Sequence, residues 1–116
     1  MLYNKMQRKH QVSVYDTCTI KSVIQLVENT KMNITVLNSN DCVVGIVTPL
    51  CLIHAYAQEL NMDNSVLHCA YLKEDLPHIL AKSSKSKIAE ALIASECCVV
   101  DDEIYTRHHF LQDGVM

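Results

Sequence analysis

The chain has few of the residues that interrupt structure: two glycines and two prolines in 116 residues, with no low-complexity tract. Disordered linkers are rich in such residues, so little of the interior is free to be one. Clustered basic charge is also missing. Ten basic against thirteen acidic residues give a net charge of -3, which six histidines offset in part below about pH 6.5. A duplex-binding footprint is thereby excluded. No run approaches the roughly 18 consecutive apolar residues of a membrane span, and the opening MLYNKMQRKH lacks the apolar centre of a secretory signal. The expectation is a cytoplasmic chain with neither a membrane nor a nucleic acid as direct partner.

The patterns of metal and nucleophile chemistry are absent too. Six cysteines are present, yet no C-x-x-C pair occurs. Cys97 and Cys98 are adjacent, and neighbours on a strand face opposite sides, so they do not share a metal. The His108 and His109 pair has no zinc spacing either. No metal is expected. Cys42, Cys51, Cys97 and Cys98 fall in apolar runs, where cysteine behaves as a small hydrophobe, so free thiols are predicted rather than a disulfide scaffold. A nucleophile built from Cys51 with His54 three residues on has no orienting acid or oxyanion donor in view, and no enzyme is predicted.

What is present is one core's worth of chain, a single-domain length that buries roughly two-thirds of its unfolded surface. The run Asn33 to Leu60, NITVLNSNDCVVGIVTPLCLIHAYAQEL, carries the most information. Ile34 to Leu37 is β-branched and apolar, Asn38 to Asp41 is a polar turn, and Cys42 to Val47 is a nearly continuous apolar strand, predicted to be buried on both faces. Thr48 and Pro49 then start a helix. The threonine hydroxyl satisfies an unpaired N–H, and proline at the first helical position loses no bond. Leu50, Ile53, Ala57 and Leu60 are predicted as its inward stripe.

Ahead of this run, Val12 and Val14 mark a short strand. Asp16, Thr17 and Thr19 offer helix caps, and Ile20, Val23, Ile24 and Val27 keep the i, i+3, i+4, i+7 spacing of an amphipathic helix. Asn61 to Ser65 is the one polar break, which divides the chain into motifs at 1–62 and 63–116. Beyond it come Val66 to Tyr71, a charged turn at Lys73 to Asp75, and a strand from Leu76 to Ala81 broken by Pro77. Ser83, Ser84 and Ser86 are rival caps for a helix carrying Ile88, Ala91 and Leu92 that ends near Ser95.

The opening pattern then returns in worn form. Cys97 to Val100 lead through Asp101 and Asp102 into Glu103 to Thr106, and Arg107 to Leu111 begin a helix. The offset of 64 between Val36 and Val100 falls to 58 between Thr48 and Thr106, so the second hairpin is six residues shorter and its turn must be tight. Two copies of one β-α-β-β-α unit, each ending in a threonine at a helix start, predict an α/β fold and a paired module with a ligand cleft.

In these residues the chain resembles the tandem cystathionine-β-synthase (CBS) domain pair, or Bateman module. VVGIVTPLCL is similar to that family's apolar strand, glycine, apolar pair, threonine or serine, two residues, then aspartate, and the likeness runs back through MQRKHQVSVYDTCTIKSVIQLVENTKMNITVL. It is strong as far as Asn61 and weaker beyond. The resemblance implies two halves packed about a pseudo-two-fold axis, with an adenine nucleotide such as AMP, ADP or ATP, or S-adenosylmethionine, in a cleft. It further implies a regulatory role tied to a transporter, enzyme or transcription regulator, and a homodimer formed through the helices after each threonine, by Leu50, Ile53, His54 and Ala57 and by Phe110 and Leu111.

The resemblance places Val12, Gly45, Ile46, Thr48 and Cys51 of the first half, and Thr106, Arg107 and His109 of the second, at the ligand. Threonine would contact phosphate, for which a helix N-terminus is suited. Arg107, His108 and His109 concentrate positive potential there. The ribose-binding aspartate is replaced by Cys51 and His109, and Glu103 and Ile104 stand where Gly45 stood. Losing that carboxylate removes a few kcal/mol, hence orders of magnitude in affinity. The alternative is a ligand-independent dimerisation or protein-docking module. The chain stops just after the second unit, at Gly114 to Met116, as expected of a sensor segment cut from a longer regulator.

Overall fold

Strand β1 (Val12–Tyr15) pairs in parallel with β2 (Ile34–Leu37), from Val12 against Ile34 to Tyr15 against Leu37. A parallel pair needs a crossover, and α1 (Ile20–Thr30) supplies it. The protein is described by a computed structural model over residues 12–80 and 82–113. The opening methionine segment up to residue 11, Ala81, and the Gly114 to Met116 end lie outside the described residues. Of the three candidate caps, Thr19 is used: its hydroxyl oxygen accepts the Ser22 N–H at 3.2 Å. Ile20 and Val23 of the predicted stripe are fully buried, with Ile24 and Val27 packed beside them. With so few glycines, the left-handed position closing α1 falls to Lys31, at φ 59°, whose N–H donates to the Val27 carbonyl.

The turn after β2 is built on Asn38. Its Oδ1 accepts the N–H groups of Asn40 and Cys42 at 2.8 and 3.0 Å, the short-range side-chain bonding that makes asparagine a turn residue. That places Cys42 on the turn and exposed, not in the apolar strand expected of it. Strand β3 (Val43–Val47) runs antiparallel to β2; only Gly45, Ile46 and Val47 are buried, while Val43 and Val44 are half-buried. β4 (Tyr71–Leu72) pairs on the other side of β3, completing the order β1-β2-β3-β4. Gly45 permits this, since a Cβ there would lie 2.7 Å from the Tyr71 carbonyl oxygen.

Helix α2 (Pro49–Ala57) turns a different face inward from the one its sequence predicts. Cys51, Leu52 and Ala55 are buried, whereas Leu50 and Ile53 are 40 % and 62 % exposed, Ala57 is exposed and Leu60 lies past the helix end. The helix is apolar nearly all round, so periodicity gave no contrast from which to choose a face. The core of this first unit joins Ile20 and Val23, Ile34 and Val36, Val47, Cys51 and Leu52, and Val66.

The chain forms two compact units, Met1–Leu72 and Lys73–Met116. The first extends past the polar break at Asn61 to Ser65. Ser65 Oγ donates to the Asp16 carbonyl at 2.6 Å, the Val66 N–H donates to the Cys18 carbonyl, Val66 is buried in the first core, and β4 joins the first sheet.

In the second unit β5 (His78–Ile79) pairs in parallel with β6 (Cys97–Val100), which pairs antiparallel with β7 (Glu103–Thr106). The crossover is α3 (Lys85–Ala94), capped by Ser84, whose Oγ accepts the Lys87 N–H. Val100 faces Glu103, leaving Asp101 and Asp102 as a two-residue turn at φ 52° and 65°. The tight hairpin is therefore of the mirror-turn kind, with aspartates at its left-handed positions. Lys73 Nζ holds the Asp102 carboxylate at 2.9 Å. Leu92, Cys98 and Val100 make the core with Ile79, Ile88, Ala91, Tyr105 and Phe110, and α4 (Arg107–Asp113) follows. Both units repeat the β-α-β-β-α order.

Candidate functional site

Thr48 stands where β3 ends and α2 begins, extended at φ -111° and 1 % exposed. Its hydroxyl oxygen accepts the Cys51 N–H at 3.4 Å, as a helix cap should. The hydroxyl proton goes to Cys51 Sγ at 3.5 Å, and that thiol in turn contacts the Ile46 carbonyl at 3.9 Å. Cys51 thus links the Thr48 hydroxyl to the Ile46 carbonyl. Cys51 is buried at 2 % exposure while His54 is exposed.

The second threonine repeats this arrangement with different chemistry. Thr106, 4 % exposed, accepts the His109 N–H at 3.2 Å, and its hydroxyl lies 3.3 Å from His109 Nδ1. The Tyr105 ring stands 6.0 Å from that imidazole. In each unit, then, the side chain three residues on from the threonine closes back onto its hydroxyl.

Arg107 is directed elsewhere. Its Nε donates to the Leu92 carbonyl at 2.7 Å and an Nη to the Ile93 carbonyl at 3.4 Å, so the guanidinium caps the last turn of α3. A cation at a helix C-terminus is stabilised by the unpaired carbonyls and the negative dipole end. No sequence signal announces this bond, because its partners are backbone atoms brought in by the tertiary fold. His108 is exposed.

The other predicted contacts have structural duties. Val12 packs against the first core from β1, with β2 between it and β3. Gly45 makes room for β4, and Ile46 is buried at 2 % exposure. In the second unit β7 pairs only with β6 among the described residues, so no strand demands a glycine at Glu103 or Ile104. Apart from these sites, Leu50, Ile53 and Tyr56 leave an apolar strip on α2, at 40 %, 62 % and 63 % exposure.

Burial pushes the Cys69 thiol up to about 11, with the nearby Cys51 adding to the shift, and burial also raises Cys98. Among the described residues no group of three or more His, Cys, Asp or Glu side chains is placed to hold a metal, and no helix is long and apolar enough to cross a membrane.

Comparison with known proteins shows a shared fold at low sequence identity. No family model matches the chain, and no curated protein matches it in sequence. Solved structures do match. A CBS-domain-containing protein from Agrobacterium tumefaciens superimposes with a TM-score of 0.67 at 16 % identity, covering 87 % of this chain and 86 % of that one. A CBS domain protein from Pyrobaculum aerophilum complexed with AMP gives 0.62 at 17 % identity, over 91 % and 92 % of the two chains. CBSX2 in complex with AMP gives 0.65 at 16 % identity, over 93 % and 90 %. The fold is that of a tandem CBS pair.

Proposed function

We propose that this chain, with the fold of CBS-domain proteins, is a non-catalytic regulatory module that binds an adenine nucleotide and signals to a partner or tethered effector. The observation that carries the reading is the likeness, over nine-tenths of the chain, to two structures that hold AMP. The repeated threonine at a helix start supports it. In this reading Thr48 in the first unit and Thr106 in the second, the latter beside the half-buried His109, are each a phosphate contact of its own unit, with Val12, Gly45 and Ile46 as further contacts of the first. AMP is the first ligand to test, with ADP, ATP and S-adenosylmethionine beside it. The 1–62 and 63–116 motifs are the two halves of the sensor, and the setting is the cytoplasm.

Signalling follows from differential affinity. A ligand that prefers one arrangement of the protein shifts the equilibrium by no more than that preference is worth. The apolar strip of Leu50, Ile53 and Tyr56 on α2 suits a homodimer contact.

A second reading, a ligand-independent dimerisation or docking module, is favoured by the local engagement of the recognition groups. Both threonine hydroxyls are held by Cys51 and His109, and Arg107 is bound to carbonyls. A thermal-unfolding panel separates the two readings. AMP at 100 times its dissociation constant stabilises by about 2.7 kcal/mol. A flat response to all four ligands, with a dimer persisting in sedimentation, establishes docking and removes the nucleotide.

A further inference from the structure

We draw no further inference here: the strongest candidate, the exposed cluster of Lys82, Lys85 and Lys87 around the Ser84-capped start of α3, is a helix N-terminus with no second observation pointing to a ligand.

Discussion

The Thr48 hydroxyl donates to the thiol of Cys51, 3.5 Å away at the start of α2. A carboxylate at that position would accept the same proton and keep a second oxygen for a ligand hydroxyl. Cys51→Asp is therefore expected to tighten AMP binding by about tenfold or more, the worth of one charge-assisted bond of roughly 1.5–3 kcal/mol. The ligand-free variant should unfold earlier, since it places a charge at a site 2 % exposed. Calorimetric titration with unfolding curves checks both, and tighter binding without the apo penalty would show that position 51 is not closed in as described.

Gly45 is fixed by space. A Cβ there meets a backbone oxygen, Tyr71 O, at 2.7 Å, and a carbonyl in a paired strand cannot swing away as a side-chain tip can. Gly45→Ala is expected to cost about 1–3 kcal/mol, the usual range for overpacking, by urea unfolding. Hydrogen exchange should localise the loss to β4. An alanine tolerated without cost would mean that β4 does not lie against β3.

Arg107 separates structural from binding roles. Removing its guanidinium leaves the Leu92 and Ile93 carbonyls without their charged donor. Arg107→Ala is expected to destabilise by about 1–3 kcal/mol, while AMP affinity changes by less than about threefold, under about 1 kcal/mol. Arg107→Lys should recover only part of the stability, because an ammonium cannot bond two carbonyls with a planar fork. A large loss of affinity with unchanged stability would return Arg107 to the ligand.

Much of this was legible in the sequence where local chemistry decides. The β-branched run Ile34 to Leu37, the Thr48-Pro49 start, the Ile20 stripe and the six-residue shortening of the second hairpin all have counterparts in the fold, down to the paired left-handed aspartates. Tertiary context decided the rest. The inward face of α2 is hidden by uniform apolarity, Cys42 follows the demands of Asn38 rather than its apolar neighbours, and Arg107 answers to backbone atoms of α3. The pairing of β4 with β3, which carries the first unit past its polar break, depends on Gly45, a residue whose motif role in the sequence masks its packing role.

The hairpin tip of the second unit is expected to respond to acid. The Lys73 hydrogen bond, then its charge, hold the Asp102 carboxyl below its ordinary 3.8, with a smaller contribution from His78. A depressed folded value means that the stabilisation is present above the unfolded value and is lost as pH falls through the folded one. The stability difference between the wild type and Asp102→Asn, which tolerates the same left-handed turn, should therefore be constant above about pH 5 and vanish in stronger acid. Salt should shrink it, because Asp102 is exposed. A difference unaffected by pH would show that Lys73 does not pair with Asp102 in solution.

The thiols order themselves by burial. Cys42 lies exposed on the first turn, Cys18 and Cys69 are half-buried with Cys69 pushed up to about 11, and Cys51, Cys97 and Cys98 are buried. The thiolate is the reactive form, so iodoacetamide at pH 8 should label Cys42 first in the folded protein. Cys69 should remain slow until the pH nears 11, and the three buried thiols should react only on unfolding. The same raised values make stability complete below about 9, the ordinary thiol value, with loss as pH rises through the folded value. Peptide mapping across a pH series reads every site at once. Rapid labelling of native Cys51 below pH 8 would reinstate a nucleophile at the head of α2 and remove the non-catalytic reading, because a thiol 2 % exposed and in contact with the Thr48 hydroxyl and the Ile46 carbonyl is not accessible to the reagent.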